Sequence, residues 1–235
     1  MRTHQRIRYE LKIREVEVAR IETIGPGTRA ITFSGSALAD FQSASFDDHV
    51  KLMFEAGGET IRRDYTPRRF DPAKSELTIE FALHDHGHAS AWARQAQIGQ
   101  HLLVGGPRGS MIIAQDYDWH LLAGDLSALP AIRRRLEELP ADARVFVIAL
   151  ASDSADHGPL PGQAQARWVR DETAFLESLR TFSPPAGEGF AWCAAESALV
   201  TAARGILLDK GLSKDNMRVA AYWKRGQADF HERLD

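Results

Sequence analysis

The residues best suited to chemistry lie in the run Arg62-Arg63-Asp64-Tyr65-Thr66-Pro67-Arg68-Arg69. Four guanidiniums flank a tyrosine and a threonine, with a proline stiffening the backbone between them. Guanidinium is the side-chain group that pairs best with phosphate oxygens through parallel hydrogen bonds. A neighbouring aromatic ring can cover a planar heterocycle, and a threonine hydroxyl can bond to its edge. Such a set suits a dinucleotide carrying a flat ring system, a flavin before others. The plain alternative is a solvated basic turn. Alternation along a strand favours the functional reading, because it puts Arg63 and Tyr65 on one face.

Three further segments carry candidate chemistry. In His84-Asp85-His86-Gly87-His88-Ala89-Ser90, a loop enters a helix whose first backbone amides, with the Ser90 hydroxyl, could meet a phosphate. The same segment also reads as a simple capped loop, or as three imidazoles (His84, His86 and His88) around a metal. Gly124-Asp125-Leu126-Ser127-Ala128-Leu129-Pro130 follows an apolar strand and opens a helix, with Ser127 as N-cap candidate and Pro130 in the first turn. Ligands of open α/β sheets bind at such strand ends, yet neither a G-x-G-x-x-G nor a Walker lysine is present. Near the C-terminus, Tyr222-Trp223-Lys224-Arg225-Gly226 joins aromatics that could pack in a domain interface to cations that could attract an anionic substrate. No serine or cysteine sits in an elbow-type sequence, so a nucleophilic triad has no support.

These segments need a scaffold, and the chain is long enough for one. Its 235 residues are 44% hydrophobic and 26% charged with net charge −3, a composition that argues against disorder and gives nucleic-acid binding no support. A single cysteine, Cys193, excludes an internal disulfide and a cysteine-ligated iron–sulfur cluster, and its apolar surroundings make it a small core residue. The N-terminal sequence lacks an apolar signal core, and no run reaches membrane-spanning length. A cytoplasmic protein without membrane insertion is the expectation.

Periodicity divides the chain near residues 115–119. Before it, short β-rich runs at Val16–Ile21, Ala30–Phe33, Val50–Phe54, Leu77–Phe81 and Leu102–Val104 are separated by glycine and proline turns, which favours an antiparallel barrel or sandwich. One helix interrupts them at about Ser90 to Gln97. After it, strands at Trp119–Asp125, Arg144–Leu150, Phe190–Ala195 and Arg218–Trp223 alternate with helices at Ala128–Glu138 and Ser197–Lys210, the second stopped by Gly211. Nearly continuous apolar strands between helices indicate an α/β sheet with parallel strands.

Arg63-x-Tyr65-Thr66-x-Arg68 resembles the flavin-domain signature of ferredoxin–NADP reductase-like proteins. Over nearly the whole chain, the ordered set resembles the siderophore-interacting protein family of flavin-dependent ferric-siderophore reductases. It comprises Asp48-His49-Val50-Lys51-Leu52, the Arg63–Arg68 element, Phe81-x-Leu83-His84 with Ala89-Ser90-x-Trp92-Ala93, and Gly105-Gly106-Pro107-Arg108-Gly109. Gly124-Asp125 with Ala128-Leu129-Pro130-Ala131-Ile132 and Tyr222-Trp223-Lys224-x-Gly226 complete it.

The resemblance implies an N-terminal antiparallel flavin-binding β-barrel over residues 1–115 and a C-terminal α/β nicotinamide-binding domain over 116–235. It implies FAD contacts from Arg63, Tyr65, Thr66 and Arg68, with His84, Ala89, Ser90 and Trp92 completing that site. Asp125 and Ala128 would face NADPH or NADH, while Lys224 and Arg225 would hold an anionic ferric siderophore. The chain departs from the family's common residues at Leu126 and Ala195, both on the nicotinamide side, and some relatives take electrons from a ferredoxin. Other readings of the same residues are a flavin reductase with a different acceptor and a nonenzymatic flavin- or metal-binding module.

Overall fold

A computed structural model describes residues 4–84 and 87–227. Asp85 and His86, and with them one arm of the three-histidine reading, lie outside the described residues. The chain forms two compact units, the first ending at Ala114 and the second beginning at Gln115.

The first unit is built from β1 (Gln5–Arg8), β2 (Ile13–Gly25), β3 (Thr28–Ser34), β4 (Val50–Ala56), β5 (Glu59–Tyr65), β6 (Arg69–Asp71), β7 (Glu76–Ala82), α1 (His88–Gln95), β8 (His101–Gly105) and β9 (Gly109–Ile112). Seven of the strands make one antiparallel sheet in the order β5-β4-β8-β2-β3-β7-β6, and β1 pairs with β9. Alternation is clearest in β2, where Arg14, Val16 and Val18 are buried and Ile13, Glu15 and Glu17 are exposed. A register shift between Val18 and Arg20 interrupts the β2–β3 ladder, the kind of irregularity that bends a sheet. The sheet curls on itself: Tyr65 on β5, one edge strand, packs its ring 4.5 Å from that of Phe81 on β7, which neighbours the other edge.

Inside the curl lies an apolar core including Val18, Ile31, Phe33, Leu52, Phe54, Ile79 and Phe81. Helix α1 packs against it through Ala89, Ala93 and Trp92, whose ring lies 5.2 Å from Phe54 and 5.8 Å from Phe81. Arg29 on β3 donates to the carbonyls of Ala93 and Arg94, satisfying orphan acceptors at the end of α1. The helix begins two residues earlier than the sequence indicates, because Gly87, at φ 109°, supplies the N-cap position.

The second unit alternates β10 (Trp119–Asp125), α2 (Leu129–Glu138), β11 (Val145–Leu150), β12 (Gln165–Val169), α3 (Glu172–Thr181), β13 (Gly189–Glu196), α4 (Ser197–Asp209) and β14 (Met217–Trp223). Its five strands are all parallel, in the order β12-β11-β10-β13-β14. Strand β13 is buried along its whole length, as expected for a strand covered on both faces. Trp119, Leu121 and Ala123 of β10 share a core with Phe175 and Leu179 of α3 and Leu199, Val200 and Ala203 of α4. The alternate residues of β10 end at Gly124, against the start of α2.

Cys193 is a buried free thiol in this core, and burial pushes its pKa up, helped by the charge of Asp125. Gly211 follows α4 at φ 85°, and the amides of Gly211 and Leu212 bond back to Leu208 and Leu207. Periodicity gives no hint of β12, since its first three residues are exposed at the sheet edge. Helix α3 is likewise absent from the sequence reading, although its N-cap signal is local: the Asp171 carboxylate accepts from the Ala174 amide at 2.8 Å. The fold therefore has the antiparallel β and parallel α/β halves that the residue pattern indicated. Among the described residues no helix is long and apolar enough to cross a membrane.

Candidate functional site

In the first unit the site is organised by β5. Ile61, Arg63 and Tyr65 occupy its less exposed face, while Arg62 and Asp64 lie on the exposed face. Tyr65 is half-buried with one ring face against Phe81. Burial pushes its phenol well above the ordinary range against the opposing charge of Arg63, so the hydroxyl stays protonated. Arg63 bends back to donate to the Arg62 carbonyl at 2.7 Å. The chain then turns inward, and Thr66 and Arg68 are only 6% and 8% exposed.

Arg68 is held by β7. Its amide bonds to the Thr78 carbonyl at 3.0 Å, and its Nε lies 3.1 Å from the buried Glu80 carboxylate. This ion pair fixes the guanidinium beside the Tyr65-Thr66 corner. Nothing in the ordinary strand run Leu77-Thr78-Ile79-Glu80-Phe81 marks Glu80 in advance.

The Ser90 hydroxyl is bonded within the chain. Its Oγ accepts from the His84 amide at 3.0 Å and donates to the His84 carbonyl at 2.7 Å. The hydroxyl thus pins the loop to the helix, and the His84 ring lies over Gly87, where an added Cβ would come within 2.9 Å of it. Ala89 is buried and Trp92 packs in the aromatic core, so these two shape the site from behind. The β5 corner and α1 meet on Phe81, which touches both Tyr65 and Trp92. The N-cap position of α1 is Gly87, which makes no side-chain cap, and among the described residues the first amides of the helix are the donor set at this end. Ser90→Ala is expected to lower stability by about 1 kcal/mol through two lost hydrogen bonds, read from the urea midpoint, and to weaken cofactor retention without touching it directly.

In the second unit the strand order reverses direction between β10 and β13, the topological switch point where open α/β sheets bind ligands. Asp125 and Glu196 end those two strands. The Asp125 carboxylate accepts from the Ser127 amide at 2.9 Å, from the Ser127 hydroxyl and from the Trp223 indole at 2.8 Å. Burial raises its pKa against these hydrogen bonds. Ser127 is not the N-cap of α2: its hydroxyl is drawn back to Asp125, Ala128 stands at the cap, and Pro130 lies in the first turn. Ala128 is fully buried, and a Cβ on Gly124 would come within 2.4 Å of its methyl. Ala128 therefore serves the close approach of α2 to the sheet.

Glu196, next to the departure at Ala195, is not singled out by the sequence pattern. It accepts from the amides of Ala198 and Leu199 at the start of α4 and from the Arg225 amide at 3.1 Å. Burial would raise its pKa, but the amides of Arg225, Leu199 and Ala198 hold it below the ordinary value. Arg225 is exposed, with its guanidinium 2.7 Å from Glu172, and Lys224 is half-buried beside it. Tyr222 packs edge-on against the buried Trp192 at 6.1 Å, whereas Trp223 is 40% exposed.

Residues 117–226 match the family model described as siderophore-interacting protein, and residues 17–62 and 56–111 match that of the siderophore-interacting FAD-binding domain. The chain is 35% identical to the NADPH-dependent ferric-chelate reductase of Escherichia coli K12, over 93% of this chain and 96% of that protein. It is 29% identical to the ferric vibriobactin reductase of Vibrio cholerae, over 93% of each. Among solved structures, a siderophore utilization protein from T. fusca superposes with a TM-score of 0.93 at 33% identity, covering 97% of this chain and 99% of that one. A flavohemoglobin from Malassezia yamatoensis shares the fold at 14% identity, with a TM-score of 0.72 over 93% of this chain and 62% of that one.

Proposed function

The chain belongs to the siderophore-interacting protein family, and from that premise we propose that it is an FAD-dependent ferric-siderophore reductase drawing electrons from NADPH or NADH. The observation that supports this most is its likeness, along almost all of its length, to a reductase named for NADPH and ferric chelates.

In this reading residues 1–115 hold FAD and residues 116–235 take the nicotinamide nucleotide. The donor set of the first unit fits FAD chemically. Tyr65 offers a flat face backed by Phe81, and its protonated phenol adds no charge there. Thr66 would bond to the edge of the ring system. Arg63 and the anchored Arg68 would neutralise the charged tail, with the first amides of α1 beside His84 as further phosphate donors. Ser90, Ala89 and Trp92 hold that helix start in place. FAD, when bound, supplies the exchange of a hydride for single electrons, and the protein contributes binding, orientation and electrostatics.

At the switch point, the ends of β10 and β13 form the nucleotide edge. Lys224 and Arg225 supply positive charge for an anionic ferric chelate, a local attraction that a net charge of −3 does not oppose at short range. Hard oxygen donors hold Fe(II) less strongly than Fe(III), so the chelate releases its metal after reduction. A nicotinamide donor implies a cytoplasmic setting. A ferredoxin is the second donor class, favoured by the departures at Leu126 and Ala195.

Cofactor content tests the proposal. Protein purified from an overexpressing strain should be yellow and release FAD on heat denaturation, and Tyr65→Ala should come out nearly colourless while remaining folded by circular dichroism. Colourless wild-type protein that takes up no added FAD would overturn it.

A further inference from the structure

Helix α1 is held at both ends by residues 27–29, where β3 begins. It has eight residues, fewer than the roughly 12 that an isolated helix needs in water, and its buried residues, Ala89, Ser90 and Ala93, are all small. At its entry, the Leu83 amide bonds to the Gly27 carbonyl at 2.7 Å. This bond continues the β3–β7 ladder to the residue before His84, which Ser90 holds in turn. At its exit, Nη1 of Arg29 donates to the Ala93 carbonyl at 2.6 Å and to the Arg94 carbonyl at 2.7 Å. Both carbonyls belong to the last turn, which lacks partners within the helix, and a cation there also complements the helix dipole. Arg29 stands opposite Phe81 in the same ladder, and the Phe81 ring touches both Tyr65 and Trp92. The strand pair that backs the Tyr65 ring therefore also sets the lie of α1.

We propose that Arg29 is a positioning residue for the cofactor: it fixes the last turn of α1 and thereby aims the helix's first amides at the phosphates of FAD. The proposal rests on the cofactor reading given above. Arg29 acts through the helix, because its donors are bonded to carbonyls at the opposite end from those amides. An unpinned last turn unwinds first, and in a helix of about two turns fraying at one end reaches the other. The Tyr65-Thr66 corner lies at the end of β5, outside this coupling, so the ring system of a flavin keeps its seat when α1 loosens. A flavin with no phosphate therefore separates misaimed amides from a general softening of the unit.

Arg29→Met keeps the aliphatic stem without its donors, and Arg29→Lys returns a cationic donor. Amide hydrogen exchange reads the clamp apart from any cofactor chemistry. With FAD present, exchange at residues 92–95 should accelerate in Arg29→Met and return towards wild type in Arg29→Lys. The amide of Ile79 on β7 should stay slow in all three proteins. Titration of the apoproteins, followed by flavin fluorescence, then reads the consequence. In Arg29→Met, Kd for FAD should rise about tenfold, the scale of one hydrogen bond to a charged group, with Kd for phosphate-free riboflavin within about twofold. Arg29→Lys should recover FAD binding to within about threefold of wild type.

Unchanged exchange in Arg29→Met overturns the clamp. Faster exchange with unchanged FAD affinity overturns the positioning role and leaves Arg29 a helix cap only. Equal losses for FAD and riboflavin overturn the route through the phosphates. Wild-type protein that binds no FAD defeats the cofactor reading and the positioning with it, and the exchange result, read without FAD, still decides the clamp.

Discussion

Glu80→Leu is expected to destabilise the protein by roughly 3–5 kcal/mol, because it leaves the Arg68 guanidinium buried opposite a hydrocarbon. Arg68 and Glu80 are 8% and 7% exposed and 3.1 Å apart, so water cannot easily replace the lost carboxylate. The urea midpoint would show the loss. A double variant, Arg68→Met with Glu80→Leu, separates stability from function. Removing both charges restores most of the lost stability, since replacing a whole buried pair by apolar groups is often nearly neutral. It does not restore FAD retention, because the guanidinium that neutralises the cofactor's tail is gone. If the double variant held FAD as wild type does, Arg68 would be structural only. A single-variant loss below about 1 kcal/mol, the range of an exposed pair, would show that the pair does not anchor the Tyr65-Thr66 corner.

Gly124→Ala is expected to cost about 1–3 kcal/mol by overpacking. The added methyl would lie 2.4 Å from the Cβ of Ala128 and 2.4 Å from the Ala194 carbonyl oxygen. Neither neighbour is the far end of a flexible chain, so both α2 and the β10–β13 pairing must shift. The switch-point corner carrying Asp125 moves with them, and nucleotide affinity falls in step with stability. A glycine that served only to let a phosphate approach the backbone would behave differently. In that case affinity would drop while the thermal midpoint stayed put. Measuring both on the same variant distinguishes the two causes.

How much of the structure shows in the residue pattern depends on how far apart the partners lie. Local signals were legible: the alternation of β2, the continuous apolar runs of β10 and β13, Gly211 after α4, and the Arg63–Tyr65 face of β5. Each is dictated by residues within one turn or one strand. Contacts across the fold were not. Arg68 finds Glu80 only because β6 folds back on β7, and Trp223 finds Asp125 only because β10 and β14 flank the same strand, 98 residues apart in sequence. Ser127 looked like a helix cap because its type and place fit one, but the Asp125 carboxylate two residues earlier competes for it at shorter range. Ser90 likewise suits a ligand by type, and the fold gives its hydroxyl two bonds to the backbone of His84. The edge strand β12 escaped notice because an edge need not be apolar. Residue type thus indicates which chemistry a segment can perform, and the fold decides which of those residues are left to perform it.

Anaerobic electron transfer tests the central claim most directly. FAD-loaded protein is mixed with NADPH, then NADH, under nitrogen, and an oxygen-free ferric siderophore is added while flavin absorbance and an Fe(II) trap are followed together. The account predicts that a nucleotide bleaches the flavin, that the ferric siderophore restores its colour, and that Fe(II) appears at two per flavin reoxidised, as electron balance requires. Flavin that stays oxidised with both nucleotides but is bleached by a reduced ferredoxin would move the donor to that protein. Bleached flavin that no ferric siderophore reoxidises would contradict the account.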